Sequence, residues 1–212
     1  MPACGASFLL ILAAVAYGQA DHPLSNFKEL RMNSQTIKSF DGNNFKQLLT
    51  SQSGKASDTC SNISTTDIVF VLDESGSIGD NNFRIAKQFI ANLTQYFDIG
   101  SGDSQSRVGF VLFQDSAEVI FDLQNYTSNG AVYNAIMNAV YGGGGTNIAS
   151  GMQAAIDLVF KRSYRPDVNK LMIVLTDGQD TSDVVTQHQR AAALNITTYA
   201  IGIGSGEADT FS

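Results

Sequence analysis

Three separated stretches carry residue types suited to holding a hard cation. Asp73-Glu74-Ser75-Gly76-Ser77 follows the apolar run DIVFVLD, Gly142 to Gly145 precede Thr146, and Thr176-Asp177-Gly178 closes a second apolar run, KLMIVLTD from Lys170. In extended chain, residues two apart point the same way, which sends Asp73, Ser75 and Ser77 toward one side. Asp73 and Asp177 with the hydroxyls of Ser75, Ser77 and Thr146 form an oxygen set without thiolate or imidazole, the chemistry of Mg²⁺, Mn²⁺ or Ca²⁺. The donors are too few for a closed calcium cage. Mg²⁺ takes about six oxygens and keeps water, so a position remains for an acidic group from outside. Two carboxylates at most balance the ion, which therefore still attracts a partner's carboxylate. This is binding chemistry, not catalysis.

Each piece alone has a simpler explanation. Ser77 or Asp80 can cap a following helix, Thr146 can cap a helix beginning at Asn147, and Asp177-Gly178 is an ordinary turn signal. Their joint occurrence after two core strands and before a helix exceeds what capping requires, and favours the cation site.

The elements that must position these loops alternate. DIVFVLD from Asp67 has the continuous apolar character of a strand buried on both faces. Phe83, Ala86, Phe89, Ile90, Leu93 and Phe97 recur at helical spacing over about 81–96. RVGFVLF from Arg107 and AEVIFDL from Ala117 are separated by three residues, which predicts an antiparallel hairpin. Helices are expected at 131–140, at 147–160 and at 184–194, with strands from Lys170 and Ile196. The pattern is α/β: a doubly wound, mainly parallel sheet with one antiparallel edge strand and helices on both faces. In such sheets ligands bind beyond the carboxyl ends of the strands where their order reverses, so Asp73 and Asp177 are expected to face one crevice.

At 212 residues the chain has room for one domain and an appendage. Its formal charge of −7 disfavours nucleic acid and anionic lipid as partners. FLLILAAVA, 8–16, is too short to span a bilayer and is followed by Gly18 and Ala20, so residues 1–20 are expected to be a signal peptide cleaved after Ala20. No later segment has the length and apolarity of a membrane span. Residues 21–59, rich in Ser, Asn and Gln, are expected to be a polar linker or propeptide. Removal of Cys4 with the signal leaves Cys60 as an odd thiol bound for an oxidising compartment. One thiol with two distant histidines cannot make a zinc or iron–sulfur site. Asn62, Asn92, Asn125 and Asn195 begin N-x-S/T acceptors for N-glycosylation. Asn92 is expected to face solvent, away from the apolar stripe of its helix, and glycans would help hydrate the surface of a chain in which only 16% of residues are charged.

Nucleotide and hydrolase signatures are missing. There is no G-x-x-x-x-G-K and no G-x-S-x-G, Gly202 to Gly206 lacks the dinucleotide spacing, and an aspartyl-phosphate enzyme would need Asp where Ser75 stands. A Mg²⁺-dependent hydrolase is the weaker alternative, and a structural matrix protein with a vestigial site is another.

With D-x-S-x-S at Asp73 to Ser77, G-G-G-T ending at Thr146 and T-D-G at Thr176 to Gly178, the segment from Asp67 to Ser212 resembles a von Willebrand factor type A domain of the extracellular matrilin and type VI collagen kind. The resemblance implies a metal-ion-dependent adhesion site. In it Ser75, Ser77 and Thr146 are hydroxyl ligands, and Asp73 and Asp177 act directly or through water. It implies a secreted, non-enzymatic module of the extracellular matrix that binds collagen or another matrix protein through an acidic side chain. It also implies a final strand and helix that the eight residues after Gly204 cannot supply, so a domain over 60–212 is expected to be C-terminally incomplete. The strand from Ile196 would then be an exposed edge, and Cys60 would pair with a cysteine outside this chain.

Overall fold

The computed structural model describes residues 28–33, 65–178 and 180–204. The expected signal peptide, Cys60, Asn62 and most of the polar arm lie outside these residues. Six strands form one sheet: β1 (Lys28–Asn33), β2 (Thr66–Asp73), β3 (Arg107–Phe113), β4 (Ala117–Phe121), β5 (Asn169–Thr176) and β6 (Ile196–Gly204). Their spatial order is β1-β6-β5-β2-β3-β4. All neighbours are parallel except β3 and β4, which pair antiparallel from Phe113↔Ala117 as the three-residue spacing predicts.

The double-sided burial of β2 explains its unbroken apolar run. Ile68, Phe70 and Leu72 enter one core with Phe83, Ala86 and Ile90 of helix α1 (Gly79–Thr94). Val69 and Val71 enter the other with Met152, Ile156 and Val159. Each fully buried Val, Leu, Ile, Phe or Met side chain among these contributes about 1.5–3 kcal/mol relative to exposure. Helix α2 (Asn129–Asn138) covers α1's side of the sheet, and Asn129 Nδ2 donates at 2.9 Å to the carbonyls of Thr94 and Phe97 as α1 ends. Helices α3 (Ile148–Ala154) and α4 (Val184–Ala193) cover the opposite face.

Three features differ from the sequence-based expectations. The helix expected over 147–160 is α-helical only in α3 and continues as a π-helical turn, Ala155–Phe160, in which the Lys161 N–H donates to Ile156 O at 3.1 Å. The wider turn keeps Ala155, Ile156, Val159 and Phe160 all buried. Val159 lies so close to β3 that a Cβ at Gly109 would stand 2.9 Å from its Cγ1. The edge of β6 is not left open either, because β1, six residues of the arm expected to be a linker, pairs with it in parallel from Lys28↔Tyr199 to Asn33↔Gly204. Strand addition satisfies the backbone groups that an edge would present. The third difference concerns Asn92, which is half-buried with its Oδ1 accepting from Gln88 Nε2 at 2.9 Å, and Gln88 in turn donates to Tyr133 of α2. Packing by α2 covers a face that the stripe of α1 alone leaves to solvent. Asn125 and Asn195 are the exposed acceptors among the described residues.

Candidate metal centre

β2 and β5 are neighbours with Leu72 beside Leu175, so their ends bring Asp73 and Thr176 together at the point where the strand order reverses. The Asp73 side chain is wholly buried. Its Oδ1 accepts the Ser75 N–H at 2.8 Å, and its Oδ2 accepts the Thr176 hydroxyl at 2.7 Å. Burial pushes the carboxyl up to about 6, against the opposing pull of the Ser75 and Thr176 hydrogen bonds, and the nearby charge of Asp177 pushes in the same direction as burial. A buried anion with hydroxyl partners and no ammonium or guanidinium beside it among the described residues is an environment that a cation would stabilise.

The first loop leaves β2 with Ser75 buried and Ser77 exposed, their hydroxyl oxygens 3.1 Å apart. Neither Ser77 nor Asp80 caps α1. Ile78 holds the N-cap position without a side-chain hydrogen bond, and Asp80 lies in the first turn. Thr146 is not a cap either, because Asn147 accepts the Ser150 N–H at 2.9 Å and serves α3. The capping explanations for Ser77 and Thr146 therefore fall away.

The glycine run lies against the first loop. Gly76 N–H donates to Gly144 O at 2.9 Å, Gly142 N–H to Glu74 Oε2 at 3.0 Å, and the Tyr141 hydroxyl to Ser75 O at 2.9 Å. On the other side, Gly145 N–H donates to Asp115 Oδ2 at 3.2 Å, and the Gln114 amide nitrogen donates to Gly143 O at 3.0 Å. Thr146 follows directly and is half-buried. Gly143 and Gly144 adopt φ values of 69° and 123°, where a side chain would be strained.

The third loop carries Asp177, half-buried, and Gly178, whose N–H donates to Thr176 Oγ1 at 3.1 Å with φ 81°. Beyond it, Asp180 Oδ2 accepts the Ile148 N–H at 2.7 Å and Ser182 Oγ accepts the Ala149 N–H at 2.9 Å, fastening this loop to the start of α3. Among the described residues no group of three or more His, Cys, Asp or Glu side chains is placed to hold a metal. The candidate donors are instead hydroxyls together with two carboxylates, a set of residue types that would suit a hard cation that also keeps water.

Sequence reasoning did not single out Thr176, Glu74, Tyr141, Gln114, Asp115 or Asp180. Thr176 stood in the T-D-G motif and was open to recognition. The others act chiefly on backbone groups of the loops, for which the sequence carries no periodic signal.

A family model described as the von Willebrand factor type A domain matches residues 67–211. Vitrin of Mus musculus is 39% identical over 147 residues, covering 69% of this chain and 22% of vitrin. The collagen alpha-1(XXI) chain of Homo sapiens is 39% identical over 144 residues, covering 68% of this chain and 15% of that one. The chain thus spans less than a quarter of the length of these relatives. Among solved structures, proximal thread matrix protein 1 from the mussel byssus superimposes with a TM-score of 0.61 at 30% identity, covering 68% of this chain and 37% of the other. Another structure of that mussel protein, with zinc in its metal-ion-dependent adhesion motif, gives a TM-score of 0.63 at 26% identity, covering 68% of this chain and 39% of the other.

Proposed function

Because this chain belongs to the von Willebrand factor type A family, we propose that it is a secreted adhesion module of the extracellular matrix that binds a protein partner through a divalent cation. The observation that carries the reading is the Asp73 carboxylate, fully buried with two hydrogen-bond donors and a strongly raised pKa, beside hydroxyls that no helix cap uses. Ser75, Ser77 and Thr146 would hold the cation through their hydroxyls, with Asp73 and Asp177 acting directly or through water. When bound, Mg²⁺ or Mn²⁺ supplies positive charge and a coordination position that a partner's Asp or Glu can fill.

The chain's own residues supply the rest. The Ser75 N–H and the Thr176 hydroxyl orient the Asp73 carboxylate, and the two loops tied at Gly76 and Gly144 hold the hydroxyls in place before a partner arrives. The hydroxyls and carboxylates of the crevice are read as cation ligands and the groups that orient them, so the proposed role is binding and not catalysis. A collagen or another matrix protein is the expected partner class, in keeping with the matrix relatives. Among the described residues no helix is long and apolar enough to cross a membrane.

The test is retention of matrix proteins by the immobilised chain with Mg²⁺, with chelator, and with Asp73→Ala or Asp177→Ala. Retention should require the metal and both carboxylates. Retention that survives chelator and both substitutions in a folded protein favours a structural role with a vestigial site. Phosphate release from an added phosphoester would favour the hydrolase alternative instead.

A further inference from the structure

Four successive glycines precede Thr146, and a glycine run has more backbone freedom to lose on ordering than any other sequence. Its path is therefore set by what grips it from outside. The grip is asymmetric. On one side stands Asp115, which is exposed; on the other stands Glu74, which is buried like Ser75 after it, although Gly76 and Ser77 further along the loop are exposed. Glu74 is fixed at its backbone by its N–H donating to Phe113 O at 2.9 Å, and its Oε2 accepts the Gly142 N–H at 3.0 Å. Among the described residues no lysine or arginine forms an ion pair with it. Burial raises its pKa, against the pull of the Gly142 hydrogen bond. The contact is tight enough that a Cβ at Gly142 would stand 3.0 Å from Glu74 Oε2.

Two residues further along both segments, Gly76 N–H meets Gly144 O at 2.9 Å. The pairs Glu74/Gly142 and Gly76/Gly144 thus clamp the first loop and the glycine run in one register at two points. The Tyr141 hydroxyl on Ser75 O adds a third tie between them. We propose that Glu74 is a positioning residue: by accepting the Gly142 N–H, its carboxylate fixes the register that presents Thr146 beside Ser75 and Ser77, and so sets the affinity of the site for a divalent cation. The proposal rests on the metal-site reading above. It assigns to Glu74 a role as hydrogen-bond acceptor, not as a ligand and not as a source of negative charge, and that distinction can be tested.

The experiment is titration of the 212-residue chain with Mn²⁺ alone, read by the loss of the free-ion paramagnetic resonance signal, alongside thermal melts in chelator. Glu74→Ala should weaken Mn²⁺ binding by roughly 10-fold or more, the scale typical for groups that orient ligands without being ligands. Glu74→Gln keeps an oxygen able to accept the same N–H and should stay well short of that loss. Gly142→Ala approaches the contact from the loop and leaves Glu74 in place. It should weaken binding in the parent but add little in the Glu74→Ala background, since the carboxylate it would strike is gone. Should Glu74→Ala fail to melt cooperatively in chelator, the other two variants decide: parent-like affinity in Glu74→Gln with a loss in Gly142→Ala supports the proposal, and a roughly 10-fold loss in Glu74→Gln or none in Gly142→Ala overturns it. Equal losses in Glu74→Gln and Glu74→Ala would make the effect one of charge and overturn the proposal, as would unchanged affinity in Glu74→Ala and Gly142→Ala. Asp73→Ala is the control on the underlying reading: if the parent binds no Mn²⁺, or Asp73→Ala binds as well as the parent, the metal site itself is wrong and the proposal fails with it.

Discussion

The Thr176 hydroxyl donates to Asp73 Oδ2 at 2.7 Å across 103 residues of sequence. The contact exists because β2 and β5 are adjacent and in register, and it joins two of the three loops through a buried hydrogen bond. Thr176→Val keeps the shape and removes the donor. It should leave Asp73 free to reorient and weaken Mg²⁺ binding about 10-fold, with the fold retained, as titration calorimetry and a melt in chelator would measure. Unchanged affinity would mean that the carboxylate is oriented by the Ser75 N–H alone.

The opposite end of β2 has a different task. Asp67 is buried and pairs with Arg165, which also donates to Gln105 O at 3.0 Å. Removing one partner of such a pair leaves an uncompensated charge, so Asp67→Ala should cost about 3–5 kcal/mol in urea unfolding. Asp67 and Asp73 are separated by a strand of roughly 20 Å at the usual rise per residue. Metal affinity measured on the folded fraction should therefore be unchanged.

Stability should respond to acid through Asp157. It accepts Arg190 at 2.7 and 2.8 Å and Lys161 at 2.7 Å, tying the π-helical turn to α4. The hydrogen bond from Arg190 is the main cause of a pKa held below the ordinary carboxylate value, with Lys161 adding to it. A carboxyl depressed in the folded state binds fewer protons there than in the unfolded chain, so its contribution is present above the unfolded value near 3.8 and is lost as pH falls through the folded one. The partly exposed groups limit the effect to about 1 kcal/mol or less. Asp157→Asn should flatten the stability profile below about pH 4 and leave its shape at neutral pH unchanged.

N-glycosylation should follow exposure. Asn125 and Asn195 are exposed, whereas Asn92 is held by Gln88 beneath α2. Chain secreted from animal cells, treated with an amidase that converts glycosylated Asn to Asp, should show that conversion at Asn125 and Asn195 and little at Asn92. Dominant conversion at Asn92 would mean that modification precedes the packing of α2.

The strands and most helices were legible because two-sided burial writes itself into sequence as continuous apolar runs such as DIVFVLD, and helices as recurring Phe83, Ala86 and Ile90. The π-helical turn was not, since AIDLVF shows only that the segment is apolar and not whether each N–H reaches back four residues or five. β1 was hidden for another reason: Glu29, Leu30, Arg31 and Met32 alternate as a strand does, but their partner lies far along the chain at β6. The residues proposed for the cation site, Asp73, Ser75, Ser77, Thr146 and Asp177, could be named from sequence because hard-oxygen chemistry demands particular residue types. Glu74 escaped notice as a spacer inside the motif, because a side chain that serves a glycine N–H leaves no compositional mark.

Anomalous diffraction from crystals of the chain soaked in Mn²⁺ would show whether these five residues form one divalent-cation site. One strong anomalous peak is expected at bonding distance, about 2.0–2.3 Å, from hydroxyls among Ser75, Ser77 and Thr146. That peak should be absent in Asp73→Ala crystals of the same form. A peak confined to surface carboxylates elsewhere, with none beside these hydroxyls, would contradict it.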